Sequence, residues 1–245
     1  MIHESISVFF PAYNDGQTIG DLVRRTMAFL PSLTEDYEVI AVNDGSWDNT
    51  AAVLAELELE FPGRFKAVTH EANRGYGGAL RSGFEAATKD LVFYTDGDGQ
   101  YDPTELAELV AHLGPNTGLV NGYKLNRNDP WHRVAIGWLY NRFARFIFGI
   151  HLRDIDCDFR LARRHLLEEI SLRSTSGTIC VELVKKIELC SCLVEEVGVH
   201  HYPRLHGRSQ FFRPKSLFNT FGQLCRLWFA LVALPQVSGR DARLA

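Results

Sequence analysis

Hydrophobic runs of four or five residues recur along the first half of the chain, separated by helical patterns. Residues 6–10 form a short apolar run closed by Pro11, the pattern of a buried strand. Thr18 followed by Asp21 reads as a capping box, and Ile19, Leu22, Val23 and Leu30 then fall at helical spacing. Further strands are predicted at 38–42, 65–69, 91–94 and 119–121, with helices over 50–59 and 79–87. Gly75-Tyr76-Gly77-Gly78 reads as a turn. Asp102-Pro103-Thr104-Glu105 starts another helix, with an N-cap carboxylate and proline at the first position.

Strands alternating with helices imply parallel pairing, right-handed crossovers and a doubly wound α/β sheet. Ligands of such sheets lie beyond the carboxyl ends of the strands. Four polar clusters are expected at those ends: Tyr13-Asn14-Asp15, Asn43-Asp44, Asn73-Arg74 and Asp96-Gly97-Asp98. The pattern changes after Gly122. A helix rich in aromatics and arginine is predicted over 131–148, a helix near 180–189 and a strand near 194–199. Residues 217–234 place Leu217, Phe218, Phe221, Leu224, Trp228, Leu231 and Val232 on one helical face. Asn219, Gln223 and Arg226 interrupt that segment, so it falls short of the about 20 apolar residues a spanning helix needs. It reads either as an amphipathic helix lying in a membrane interface, with Arg213 and Lys215 at the headgroups, or as a helix packed on the protein's own core or on a second subunit.

Composition narrows the partners. The 245 residues are 46% hydrophobic and 23% charged, and the net charge of −4 gives no general attraction to nucleic acid. The stretch between Glu196 and Asp241 has no acidic residue and carries Arg204, Arg208, Arg213, Lys215, Arg226 and Arg240, which predicts an anionic partner at that end, the alternative being a solvated basic face. Five cysteines without CxxC spacing read as reduced thiols of a cytoplasmic protein, and no signal peptide is expected at the N-terminus.

The chemistry concentrates at Asp96-Gly97-Asp98. Two adjacent carboxylates repel, and a divalent cation such as Mg²⁺ or Mn²⁺ resolves the repulsion while taking further ligands from substrate phosphates. Gln100 can add an amide oxygen or orient a metal-bound water. Such an ion would neutralise charge on a departing nucleotide diphosphate. Asp44 can accept hydrogen bonds from a base or ribose, Tyr13 can stack on a base and Asp15 can hold a ribose; a loop cap for the first helix is the alternative for the last two. Asp48 and Thr50 read as helix-capping residues.

Four segments occur in order: Pro11-Ala-Tyr-Asn-Asp15, Asn43-Asp-Gly-Ser-Trp-Asp-Asn-Thr50, Asn73-Arg-Gly75 with Gly78-Ala79, and Asp96-Gly-Asp-Gly-Gln100. Together they resemble the family 2 glycosyltransferases of GT-A fold, nearest to the dolichol- or polyprenyl-phosphate sugar transferases. The resemblance implies a mostly parallel central sheet flanked by helices and inverting transfer from a nucleotide diphosphate sugar, GDP-mannose or a UDP-hexose. It places Pro11, Tyr13, Asp15, Asp44, Asn73, Gly75 and Asp96 at the nucleotide sugar, and Asp96, Asp98 and Gln100 around the metal and diphosphate.

The second half resembles the same branch. Gly122-Tyr-Lys124 stands where that branch commonly has a small residue and an arginine, Asp154 to Arg160 is similar to its acceptor-side aspartate segment, and Arg204-Leu-His-Gly207-Arg-Ser209 resembles its R-x-x-G-x-S phosphate motif. Three positions depart: Asn43 stands where aspartate is frequent, Asp15 where glutamate is, and Asp158 where glycine is. A phosphate monoester acceptor is already anionic at pH 7 and needs cations more than a base. Lys124, Arg127, Arg133, Arg204, Arg208 and Ser209 are the candidates to hold it; Asp98, Asp154 and Asp156 are the catalytic candidates, the last two orienting the acceptor or acting as base on a hydroxyl. The expected organisation is a catalytic domain over 1–210, with a nucleotide-sugar half to 122 and an acceptor half from 123, followed by the 211–245 helix and tail. The expected location is the inner face of a membrane, held peripherally, with a homodimer as the other use of the last helix. A soluble hydroxyl acceptor and a non-catalytic binding module are the alternatives. An NAD-binding fold is disfavoured because no G-x-G-x-x-G follows the first strand.

Overall fold

The computed structural model describes residues 1–125, 131–204 and 214–233, without the side chains of 131–133, 135, 136 and 214–219. Seven strands form one sheet: β1 Ile6–Ala12, β2 Tyr37–Asn43, β3 Phe65–Thr69, β4 Leu91–Thr95, β5 Thr117–Lys124, β6 Phe159–Arg163 and β7 Leu193–Val199. Their spatial order is β3-β2-β1-β4-β6-β5-β7. All pairings are parallel except those of β6, which runs antiparallel to both β4 and β5.

Helices cover both faces, because the central strands are apolar on both. One core joins β1 residues Ile6, Val8 and Phe10 to helices α1 (Ile19–Phe29), α2 (Thr50–Glu60) and α4 (Leu106–Ala111). The other joins Phe9, Ile40 and Tyr94 to α3 (Tyr76–Ala86), α5 (Trp131–Phe148), α7 (Thr178–Glu188) and α8 (Pro214–Trp228). A short helix, α6 (Arg164–Glu169), follows β6 directly.

Most of the expected elements form where the pattern places them, with four differences. The Gly75–Gly78 segment, expected as a turn, instead opens α3, with Gly75 at its N-cap and Tyr76 as its first residue. β5 extends to Lys124 because backbone pairing with β7 carries it past the apolar residues that mark it in the sequence. The helix from Asp102 begins as a 3₁₀ turn over Pro103–Glu105, capped by the Asp102 carboxylate on Thr104 N at 3.0 Å, before α4. The expected capping box at Thr18 is not made. Its hydroxyl donates instead to Gly97 O at 2.9 Å, so a threonine that reads as a local cap ties α1 to the Asp96–Asp98 loop.

The packing beneath the site is tight. Phe9 stacks on Tyr94 with ring centroids 5.3 Å apart and meets the edge of Phe84 at 5.0 Å. A Cβ on Gly83 would lie 2.3 Å from the Phe9 ring. Gly83→Ala is expected to cost about 1–3 kcal/mol, lowering the melting temperature by about 2–4 °C for each kcal/mol. Gly222→Ala, whose Cβ would meet open space within a helix, is expected to hold or raise it; thermal melts of both variants decide.

Candidate active site

The topology gathers the polar clusters on one edge. β1, β2, β3 and β4 are mutually parallel, so Tyr13–Asp15, Asp44, His70–Arg74 and Asp96–Asp98 all emerge together. β5 and β7 run the same way and deliver Lys124 and the 200–204 segment. β6 runs the other way, so its beginning, not its end, lies there. The Thr95↔Phe159 register therefore brings Asp154 to Asp158 in beside Asp96.

Asp44 is buried and held from two sides. Its Oδ1 accepts from Arg74 N at 2.8 Å and lies 2.7 Å from His70 Nδ1, whose Nε2 reaches Ser82 Oγ at 2.8 Å. Asp44 Oδ2 has no partner among the described residues and is available to a ligand. Asn73 Nδ2 donates to Asp44 O, and Asn73 Oδ1 accepts from Gly75 N, which sets the turn into α3. Gly45, at φ +70°, makes this approach feasible, since a Cβ there would sit 2.7 Å from the Asn73 nitrogen.

Two loops are stitched alongside. Asn14, at φ 59°, accepts from Trp47 N through its Oδ1, and Asn14 N donates to Ser46 Oγ. Asp48 accepts from Gly16 N and from Thr50 N and Oγ1, which fits the capping role expected of it. Asp15 Oδ2 accepts from Tyr13 N, and Asp15 O accepts from Thr18 N and Ile19 N, so Asp15 also caps the entry to α1. Pro11 contributes its carbonyl to Gly97 N, bracing the loop that carries the two aspartates.

Asp96 and Asp98 differ in their surroundings. Asp96 Oδ1 accepts from the Tyr76 hydroxyl at 2.9 Å. Burial, with the charges of Asp158 and Asp98, pushes its carboxyl well above the usual range. Asp98 is also pushed up by burial, against the Arg204 guanidinium and the Gln100 N–H that favour its charged form. Arg204 donates to Asp98 Oδ2 and, through Nε, to Gln100 Oε1 at 3.3 Å. Behind them Arg160 is fully buried. It donates to Asn121 Oδ1, the Tyr94 hydroxyl and Ile155 O, and lies 3.6 Å from Asp158 Oδ1.

Before β6, Asp154 is buried and accepts from Asn141 Nδ2 at 2.8 Å and Asp156 N at 3.1 Å. Lys124 Nζ lies 4.0 Å from both Asp154 Oδ2 and Asp156 Oδ2. Asp156 is the more open of the two carboxylates, its side chain 37% exposed against 8%. Arg127, Arg208 and Ser209 lie outside the described residues, as does the side chain of Arg133.

The sequence reading passed over His70, Tyr76, Asn141 and Asn121, each of which holds a carboxylate or a cation of the site. His70 carries a usable signal, one residue past a strand end at the ligand edge; Asn141 carries none, being one polar residue within a long helix. The donor set at Asp96, Asp98 and Gln100 is all oxygen, as a hard divalent ion requires. Among the described residues no trio of His, Cys, Asp or Glu encloses a metal, so a metal here would be held by one or two carboxylates and completed by substrate phosphate oxygens.

Asp15 supplies a pH test. Burial first, then the nearby Asp98 charge, pushes its carboxyl from 3.8 up to about 6. Between those values the folded state holds a proton that the unfolded state has lost, so its contribution to stability falls as pH rises through that window. The full shift corresponds to on the order of 3 kcal/mol. Asp15→Asn is expected to remove this dependence. Its melting temperature should gain on that of the native protein as pH climbs from 4 to 7, and a constant difference between the two curves would refute the assignment.

The profile described as Glycosyl transferase family 2 matches residues 7–171. The undecaprenyl-phosphate 4-deoxy-4-formamido-L-arabinose transferase of Enterobacter sp. (strain 638) is 32% identical over 234 residues, covering 94% of this chain and 67% of the relative. Among solved structures, glucosyl-3-phosphoglycerate synthase of Mycobacterium tuberculosis in complex with Mn²⁺, UDP and glucosyl-3-phosphoglycerate superposes with a TM-score of 0.69. That match is 18% identical and covers 96% of this chain and 82% of the synthase. The same synthase with Mn²⁺, UDP and phosphoglyceric acid gives a TM-score of 0.70 at 18% identity, covering 96% and 80%. These two likenesses concern the fold, which is GT-A. With the family profile covering well over half its length, the chain belongs to glycosyl transferase family 2 and is a glycosyltransferase.

Proposed function

We propose that this glycosyltransferase moves a sugar from a nucleotide diphosphate sugar to a polyprenyl phosphate at the inner face of a membrane. The observation that carries the reading is the meeting, on one sheet edge, of a nucleoside-side carboxylate (Asp44), the Asp96–Asp98 pair, and the cations Lys124 and Arg204. The relative that transfers to undecaprenyl phosphate supports the acceptor class.

In this reading Asp44 Oδ2 accepts from the nucleoside, with Tyr13, Asp15, Asn73 and Gly75 shaping its surroundings and Pro11 bracing them. Asp96, Asp98 and Gln100 would hold Mg²⁺ or Mn²⁺, the metal ion of the Mn²⁺-bound synthase supporting that class of cofactor. Bound there, the ion offsets charge on the departing diphosphate. Lys124 and Arg204 hold the acceptor phosphate in line with the anomeric carbon, joined by Arg127, Arg133, Arg208 and Ser209. The acceptor arrives already ionised, so Asp156 orients rather than deprotonates it, and Asp154 fixes the loop that presents Asp156.

A second set of observations supports membrane contact. α5 exposes Trp138, Leu139, Phe143 and Phe146, the last 88% open, and α8 with the turn after it exposes Phe221, Phe229 and Val232. Trp228 Nε1 donates to Ile147 O at 3.2 Å, so the two helices lie side by side. Neither contains an acidic residue, and Arg142, Arg145 and Arg226 stand among the aromatics. No helix among the described residues is long and apolar enough to cross a membrane. This chemistry suits helices lying in an anionic lipid surface.

Two experiments test the proposal. Nucleotide diphosphate release is followed with Mg²⁺ or Mn²⁺ across a panel of donors, with and without a short polyprenyl phosphate. Release is expected to require the lipid and to fall at least a hundredfold in Asp98→Ala, in line with removal of a charge-stabilising group from the reacting centre; release indifferent to the lipid would move the acceptor to a soluble hydroxyl. In the second, the protein is expected to float with phosphatidylglycerol-containing vesicles and not with phosphatidylcholine alone. Phe146→Glu combined with Phe229→Glu should abolish flotation. A variant that instead splits a native dimer would assign this face to a second subunit.

A further inference from the structure

Arg204 holds two groups that the proposed donor site also needs. Its Nη2 donates to Asp98 Oδ2 and its Nε donates to Gln100 Oε1 at 3.3 Å. Asp98 Oδ1 is taken by Gln100 N at 3.0 Å, so both oxygens of this buried carboxylate are engaged. The chain leading to Arg204 is anchored independently of the guanidinium. Tyr202 N donates to Gln100 O at 2.8 Å, and Gln100 Nε2 donates back to Tyr202 O at 3.1 Å. His200 is bonded to Glu105 through both N and Nδ1, and His201 packs edge-on against Tyr101. The backbone from 200 to 202 is thus pinned beside the Asp98 loop, and the arginine fork, 28% exposed, takes no part in that anchoring.

A guanidinium on Asp98 Oδ2 and a divalent ion on the same oxygen are mutually exclusive by charge and by volume. Arg204 is also the first arginine of the acid-free segment that the acceptor reading requires. We propose that Arg204 is a movable positioning cation shared between Asp98 and the acceptor phosphate. Donor and metal binding at Asp98 release it, and only then does it complete the phosphate site. By linkage the two ligands raise each other's affinity through this one side chain. The coupling rests on the polyprenyl-phosphate reading, whereas the competition at Asp98 does not.

The test therefore has two arms, both read as binding. Free Mn²⁺ is measured by electron paramagnetic resonance, without nucleotide, on the native protein, Arg204→Gln and Arg204→Lys. Arg204→Gln is expected to bind Mn²⁺ about tenfold more tightly and Arg204→Lys by an intermediate amount; equal or weaker binding by Arg204→Gln overturns the exchange. In the other arm a short polyprenyl phosphate is titrated with and without Mn²⁺ and UDP or GDP. The native protein is expected to gain about tenfold in affinity when the nucleotide is present. In Arg204→Gln this gain should vanish and in Arg204→Lys part of it should return. A gain that survives in Arg204→Gln, or none in the native protein, overturns the coupling. Failure of the lipid phosphate to bind under every condition refutes the acceptor reading instead, and the Mn²⁺ arm still decides the exchange.

Discussion

β6 lies between β4 and β5 and runs against both, and the site depends on that reversal. In an all-parallel sheet the residues before β6 would sit at the far edge, away from every other polar cluster. Reversed, the strand brings Asp154, Asp156 and Asp158 to the ligand edge, opposite Asp96 in register. The two antiparallel pairings of β6 thereby join the β1–β4 part of the sheet, which carries Asp44 and Asp96, to the β5–β7 part, which carries Lys124, across a continuous sheet.

The reversal also buries a cation. Arg160 points into the sheet interior with none of its surface exposed, where an unpaired charge would cost several kcal/mol. Asn121 from β5, Tyr94 from β4, and Ile155 O and Asp158 from the segment before β6 surround its guanidinium. The aspartate that departs from the usual pattern at position 158 is therefore paired with an arginine, and its negative charge bears on Asp96 and Asp98. The positive charges that answer these carboxylates come from opposite sides: Arg160 is fixed below, and Arg204 approaches from the C-terminal segment. The same geometry confines negative charge at the edge where the proposed divalent ion would sit.

Asp44 shows a different balance. Its two bonds both fall on Oδ1, so the side chain is rigid while Oδ2 remains open to a ligand. Rigidity of this kind reduces the entropy lost on binding. It is assembled from two strand ends and a helix, with Asp44 after β2, His70 after β3 and Ser82 within α3.

The sequence by itself determined the strand and helix alternation and the Asp96–Asp98 pair at a strand end. It also determined the cationic C-terminal segment. Each follows from local patterns: apolar runs of strand length, glycine and aspartate at turns, and charge bias over a window. It misassigned Thr18 as a local cap, because nothing nearby reveals that its hydroxyl donates to Gly97 O, 79 residues away. The tertiary structure alone decided that β6 is antiparallel, since an apolar strand carries no mark of its direction. It alone decided that Arg160 is buried and that His70, Tyr76 and Asn141 brace the acidic residues. Those partners are 13 to 26 residues apart in the chain, and only sheet register and helix packing bring such pairs within hydrogen-bonding distance.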